Sequence, residues 1–295
     1  MDLQQMRYVI AVAETRNFTR AAERCFVVQS ALSHRIAGLE RELGVKLFAR
    51  TSRRVELTPA GEAFLPAARQ SLEAAERAAA EAAAAVGVVR GRLAVGMIPT
   101  VAALDIPAAL ESFRERHPEV RVALRAGASN EMTVRVAAGD LDIAVLGLPE
   151  DDEPRGVRSR ILARDRHVAV VPESHPLAGK ARVSMRRLAE EVYVDFPVDS
   201  PGRIQSDRAF AAARLARDVA FEASELDLMV RIVRQGLAIA LLPSAVAAGT
   251  AGIVTVPITD GPRRVEYLAW SEFNPTPATT AFLQILESAG RPLRA

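Results

Sequence analysis

The side chains with the clearest chemistry stand near the N-terminus. Gln29, Ser30, Ser33 and His34 fall at helical spacing, and Arg50, Arg53 and Arg54 crowd a short turn just after them. A glutamine pairs with adenine through two hydrogen bonds, and serine hydroxyls meet base edges or phosphates. Arginines at the tip of a hairpin reach phosphates or a minor groove. For the arginines alone, an ordinary solvated basic turn is the competing reading.

The elements that must position these residues are legible from periodicity. Leu3, Met6, Ile10 and Ala13 recur on one face of a first helix. Thr19 is the expected N-cap of a short second helix carrying Ala21, Ala22 and Cys25. Leu32, Ile36, Leu39 and Leu43 form the buried stripe of a third helix, closed by a left-handed cap at Gly44. Opposite the stripe lie Ser30, His34, Ala37 and Arg41, with Ser33 on the flank and Gln29 at the tip, where recognition helices read bases. Val45–Phe48 and Val55–Leu57 are the expected strands of a small hairpin. Charge supports this use: residues 1–60 hold ten Lys/Arg against six Asp/Glu, whereas the remainder is slightly acidic.

With 295 residues, 49% apolar and 25% charged, the chain is long enough for two or more globular domains. Its single cysteine, Cys25, excludes an internal disulfide framework and fits a reducing compartment. Cys25 reads as a small core residue, the alternative being an oxidisable thiol with no resolving partner in the chain. There is no apolar run of about 20 residues and no signal-peptide pattern, so a cytoplasmic location is expected.

Thr58 followed by Pro59 marks the start of a long helix. Leu65, Ala68, Leu72, Ala75, Ala79, Ala82 and Val86 then alternate three- and four-residue steps, which is a coiled-coil seam for dimerisation. Pro66 is expected to kink the helix or delay its start. An alanine-rich helix packed on its own domain is the bland alternative. Beyond Gly87 and Gly91, strand-like and helix-like segments alternate, the pattern of an α/β domain with mainly parallel sheets. Nine strands are expected, beginning at Leu93, Val120, Ile143, Val168, Val192, Val219, Ala238, Ile253 and Val265. The stretches Val120–Leu146 and Val219–Leu242 echo one another as strand, helix and strand.

The run AAERCFVVQSALSHRIAGLERELGVKLFARTSRRVELTPAGE resembles the N-terminal winged helix-turn-helix of LysR-type transcriptional regulators. The segments GRLAVGMIPT, FRERHPEVRVALRAG, AAGDLDIAVL, HVAVVPESHPLA and VRQGLAIALLP resemble, more diffusely, the effector domain of the same family. The resemblance implies a multidomain fold: an all-α winged helix-turn-helix head at 1–58, a long linker helix at 59–89 that pairs two subunits, and an α/β two-subdomain effector domain of the type 2 periplasmic-binding-protein-like kind at 91–295. Its first subdomain would comprise 91–162 and 264–295, and its second 163–263. It implies DNA contacts from Gln29, Ser30, Ser33, His34, Arg53 and Arg54, a dimer or tetramer, and RNA polymerase as a further partner. This chain departs from the family pattern at Val28, where a capping Ser or Thr is usual, and at His34, where a longer side chain is usual.

Ligands of open α/β sheets bind beyond the carboxyl ends of strands, where helix N-termini present free N–H groups. That rule selects Thr100, Ser129, Asn130, Phe196, the loop 197–203 and Ser224. The resemblance favours Thr100, Ser129 and Phe196 among these. Hydroxyls at two helix starts fit a small carboxylate-bearing effector, with Arg203 as counter-ion; simple N-caps are the competing reading of Ser129 and Ser224. The acidic run Glu150–Glu153 reads as a solvated loop. A rival enzyme reading finds no phosphate-binding glycine loop, nucleophile elbow, H-E-x-x-H or paired C-x-x-C. His117 and His175 each precede a proline, and His167 opens a strand without an evident partner. No catalytic residue, metal ligand or cofactor is therefore expected. A sequence-indifferent nucleoid protein is disfavoured by the large α/β body.

Overall fold

The computed structural model describes residues 1–50, 55–273 and 275–289, which separate into two compact units, Met1–Gly87 and Val88–Ala295. The first unit runs α1 (Leu3–Thr15), α2 (Phe18–Arg24), α3 (Gln29–Leu43), β1 (Phe48–Arg50), β2 (Val55–Leu57) and α4 (Pro59–Ala84). Helix α1 begins in a capping box: the Gln5 N–H donates to Asp2 at 2.7 Å, and the Asp2 N–H donates to the Gln5 side chain at 2.9 Å. Asn17, not Thr19, caps α2, because its side-chain Oδ1 accepts from both Thr19 and Arg20 N–H groups at 2.9 and 3.0 Å. The buried face of α1 is also rotated from the expected one. Tyr8, Val9 and Val12 enter the core while Leu3 stays exposed.

Leu32, Ile36 and Leu39 are wholly buried on α3 against Val9, Val12, Ala21 and Phe48, and each fully buried side chain contributes on the order of 2 kcal/mol. Leu43, at the end of the stripe, is exposed, and Gly44 closes the helix at φ +71°. The first hairpin strand starts at Phe48, later than expected, because buried Glu40 captures the N–H groups of Leu47 and Phe48 at 2.9 and 3.3 Å. Burial opposes the charge on Glu40, but the Lys46 ammonium at 2.8 Å and these two N–H groups hold its carboxyl below the usual range. Thr58 caps α4, and a Cβ on Gly61 would come within 2.1 Å of the Leu47 carbonyl, so only glycine lets α4 approach the hairpin so closely. Pro66 sits inside α4.

The second unit runs β3 (Gly91–Met97), α5 (Ile106–Arg116), β4 (Val120–Ala126), α6 (Ser129–Ala137), β5 (Ile143–Pro149), β6 (Arg158–Pro172), α7 (Met185–Leu188), β7 (Val192–Asp195), α8 (Pro201–Ala212), β8 (Asp218–Glu222), α9 (Leu226–Arg234), β9 (Ala240–Pro243), α10 (Ser244–Ala247), β10 (Ile253–Pro257), β11 (Arg263–Trp270) and α11 (Pro277–Ala289). The sheet is mixed rather than mainly parallel. Strand β3 pairs in parallel with β4 and β5, but β11 runs antiparallel to β5 and β6, as do β9 and β10 to β6.

Strand β6 is the spine. It pairs with β11 over Arg158–Arg166 and with β9 over His167–Val170, passing from one packing group to another. Its first half, RSRILARDR, carries too many charges to read as a strand from sequence. The internal echo has a counterpart in the pairing: β3 lies between β4 and β5, and β7 lies between β8 and a bridge at Ile239.

Candidate functional site

At the turn between α2 and α3, Phe26 adopts φ +55° and is 95% exposed, reversing the chain ahead of α3. Val28 then takes the N-cap position in extended conformation with no side-chain capping bond, so the first N–H groups of α3 are left for solvent or a partner. Gln29, Ser30 and His34 are exposed, and the Gln29 amide donates to Ser33 Oγ at 2.8 Å. That bond holds two of the expected base-reading groups on one face one turn apart. Arg53 and Arg54 lie outside the described residues. Arg35, on the same helix, pairs with Asp2 at 3.3 Å. Cys25 ends α2, half buried, and burial raises its thiol pKa with Arg24 opposing weakly. An elevated thiol is a poor nucleophile.

On α4, Ala68 is buried, Leu65, Leu72 and Ala75 are half buried and Ala79 is exposed. The helix also meets α1 through Arg7–Glu76 at 4.0 Å and Glu14–Arg69 at 3.6 Å. Packing on its own head therefore accounts for part of the apolar stripe.

In the second unit, a cavity of about 190 Å³ opens where the carboxyl ends of β3, β5 and β7 meet the return strand β11. Its wall is largely apolar, from Ile98, Pro99, Phe196, Pro197, Leu241 and Pro243, with Thr100, His167, Ser200, Gln205, Ser224 and Arg264 as the polar groups. The volume is below the usual ~300–1,000 Å³ of drug-sized pockets, which restricts occupants to small molecules. Two helices begin at this wall without side-chain caps, α6 after Ala128 and α9 close behind Ser224. Their unclaimed N–H groups and positive dipole ends favour a negatively charged group.

Arg264 dominates the electrostatics. It is 3% exposed and donates to Thr100 Oγ1 at 2.8 Å, to the Thr100 carbonyl at 2.9 Å and to Glu266 at 2.5 Å. Glu266 in turn accepts from the Ala102 and Ala103 N–H groups at 3.2 and 3.1 Å, so the loop after β3 is pinned to β11. Burial disfavours the charged guanidinium and lowers the Arg264 pKa, with Glu266 opposing. His167 is also buried and donates from Nδ1 to the Pro262 carbonyl at 3.3 Å. Burial, then the nearby positive Arg264, push its pKa down to about 4, so the imidazole is neutral at physiological pH.

Of the residues selected from sequence, Thr100, Phe196 and Ser224 line the cavity. Ser129 is fully buried just behind it, donating to the Gly147 carbonyl at 3.0 Å and accepting from the Gly147 N–H at 3.1 Å, so both its hydrogen-bonding functions are spent on the fold. Asn130 lines a different, more polar pocket beside Asp151–Glu153. Arg203 does not line the cavity; its Nε donates to Asp207 at 3.0 Å and its Nη1 to Glu222 at 3.1 Å. The i,i+4 spacing of Arg203 and Asp207 on a helix was the signal for that pairing. The acidic run is not simply solvated either, since Asp152 pairs with Arg208 at 2.8 Å and Glu150 with Arg164 at 3.6 Å.

Three polar residues of the cavity escaped sequence reasoning: His167, Gln205 and Arg264. The spacing of Arg264 and Glu266 was a usable signal, because opposite charges two apart in an apolar strand face the same side. Gln205 had none. It reaches the cavity because its amide crosses to the Gly147 carbonyl at 3.2 Å, joining α8 to β5. A Cβ at Gly147 would stand 2.7 Å from Ile98 Cδ1 and 3.3 Å from Arg264 Nη1, so a larger residue there would push both side chains aside.

Comparison with known proteins covers both units. The family model described as bacterial regulatory helix-turn-helix protein, lysR family, matches residues 3–62, and that of the LysR substrate binding domain matches residues 87–291. The chain is 33% identical over 294 residues to the HTH-type transcriptional regulator BudR of Raoultella terrigena, covering 97% of this chain and 100% of that one. It is 33% identical over 258 residues to the transcriptional dual regulator GltC of Bacillus subtilis (strain 168), covering 88% and 86%. Among solved structures, full-length CbnR complexed with its target DNA superposes with a TM-score of 0.71 at 26% identity, over 98% of this chain and 100% of that one. Matched in its DNA-binding head and in its ligand-binding body alike, the chain belongs to the LysR family of DNA-binding transcriptional regulators.

Proposed function

We propose that this protein is a cytoplasmic, ligand-responsive transcription factor, not an enzyme, that reads an operator through paired winged heads and is controlled by a small carboxylate-bearing effector in the cavity of its second unit. The observation that carries the reading is the conjunction of an exposed, pre-aligned Gln29–Ser33 pair on α3 with a separate small cavity walled by apolar side chains and uncapped helix starts. Gln29, Ser30, Ser33 and His34 read the major groove, with Arg53 and Arg54 on the backbone or minor groove beside it. The seam of α4 pairs two chains. Because Ala68 is already buried within one chain, the partner helix meets Leu65, Leu72, Ala75 and Ala79. Two heads on a two-fold axis require a roughly palindromic site. Tetramer formation and contact with RNA polymerase extend the same reading.

In the cavity, Thr100, Phe196 and Ser224 contact the effector, while Ser129, Asn130 and Arg203 shape the surrounding wall and loops. An effector changes DNA affinity only if it favours one arrangement of the second unit over another. The test begins with selection of bound duplexes from a random pool by the full chain. A palindromic consensus is expected. Gln29→Ala and Ser33→Ala should each weaken binding to it by about tenfold, corresponding to ~1–3 kcal/mol per base contact, while binding to random duplex changes little. If Ser33→Ala bound the selected duplex as tightly as the parent, the assignment of α3 would be wrong.

A further inference from the structure

His167 is the cavity residue whose chemistry remains unused. Its Nδ1 and its backbone N–H both point at the Pro262 carbonyl, at 3.3 and 2.8 Å. A carbonyl oxygen only accepts, so Nδ1 carries the ring proton. In the neutral ring Nε2 is then a bare acceptor, and among the described residues the ring's hydrogen bond is the one from Nδ1 to Pro262. The ring lines the cavity and is 3% exposed, so little besides a cavity occupant can reach it. A carboxylate placed against this nitrogen would set lone pair against lone pair. Protonating the ring to accommodate a carboxylate is opposed by Arg264, whose guanidinium is bound to Thr100 and Glu266 and cannot move aside cheaply.

The polar groups of the cavity therefore ask for different partners. The uncapped starts of α6 and α9 offer donors to an anion, and His167 offers an acceptor. Ile98, Phe196 and Leu241 add apolar wall to the same cavity. We infer that the effector is a small hydroxy acid or a carboxylic acid with an N–H group, whose hydroxyl or N–H donates to His167 Nε2 while its carboxylate faces the helix starts. This rests on the proposed effector role of the cavity, and it makes His167 a specificity-determining residue.

The experiment is calorimetric titration of the full chain with matched probes that differ in one donor: meta- and para-hydroxybenzoate against meta- and para-fluorobenzoate, and lactate against propionate. Fluorine is close in size to hydroxyl but cannot donate. At least one hydroxyl probe should bind about tenfold more tightly than its partner, the usual worth of one buried hydrogen bond. In His167→Phe that preference should collapse to about twofold or less. The wild-type preference is itself decisive, so a variant that fails to fold does not rescue or sink the inference. Equal affinity within every pair overturns it, as does binding by none of the probes. Proton uptake on binding, read from titrations in two buffers of different ionisation enthalpy, also overturns it, since His167 would then act as a cation. Donor-selective binding that leaves DNA affinity unmoved would instead sustain this inference and sink the regulatory reading of the cavity.

Discussion

Arg264 donates to Thr100 Oγ1 at 2.8 Å across 164 positions of sequence, fastening the return strand β11 to the loop that follows β3. The same guanidinium holds the Thr100 carbonyl and Glu266, so one buried side chain sets the geometry of the loop that walls the cavity. The position of Thr100 depends on it, and its charge adds to the burial that keeps His167 neutral.

Removing one partner of this arrangement should cost more than removing a partner of an exposed pair. Arg264→Met leaves Glu266 buried and half satisfied, and is expected to destabilise the second unit by about 3–5 kcal/mol. Thr100→Val removes only one acceptor and should cost about 1–3 kcal/mol. The chain has a single tryptophan, Trp270 on β11, so its fluorescence during urea denaturation reports this unit. Equal midpoints for wild type and Arg264→Met would show that the network contributes no net stability.

Val28 occupies an N-cap position without a capping bond. Val28→Ser supplies an oxygen for the first-turn N–H groups of α3 and should stabilise the helix start by about 0.5–2 kcal/mol. Slower amide exchange in the first turn of α3, in the absence of DNA, is the measurement. Unchanged exchange would mean that the helix start is held by packing alone.

His167 predicts the direction of a pH effect. Its folded pKa, about 4, lies below the value of about 6.5 it takes in an unfolded chain, so the unfolded state binds the proton first. The stability His167 confers is complete above pH ~6.5 and is lost as pH falls from there toward 4, at no more than about 1.4 kcal/mol per pH unit. Denaturation midpoints by Trp270 fluorescence should therefore drop between pH 7 and pH 5 in wild type, and drop less in His167→Gln. A parallel decline in both proteins would remove His167 as the cause.

The sequence by itself determined the parts whose physics is local. Helical periodicity placed Leu32, Ile36 and Leu39 in the core of the head and left Gln29, Ser30 and His34 on its outer face. The glycine at position 44 closed α3, and the Thr-Pro pair opened α4. Short apolar runs located the strands of the second unit, though with shifted ends and without the charged first half of β6. Tertiary structure alone decided what depends on distant partners. Strand direction is one such property, because pairing rather than composition makes β11 antiparallel to β5 and β6. The cavity is another. Ser129 was drawn inward by Gly147, Arg203 was claimed by Asp207 and Glu222, and Arg264 and His167 were brought to one cavity from two different strands, β11 and β6. A hydroxyl or guanidinium has the same side-chain chemistry in a ligand site as in a fold, and only the neighbours that the fold supplies determine which of the two it serves.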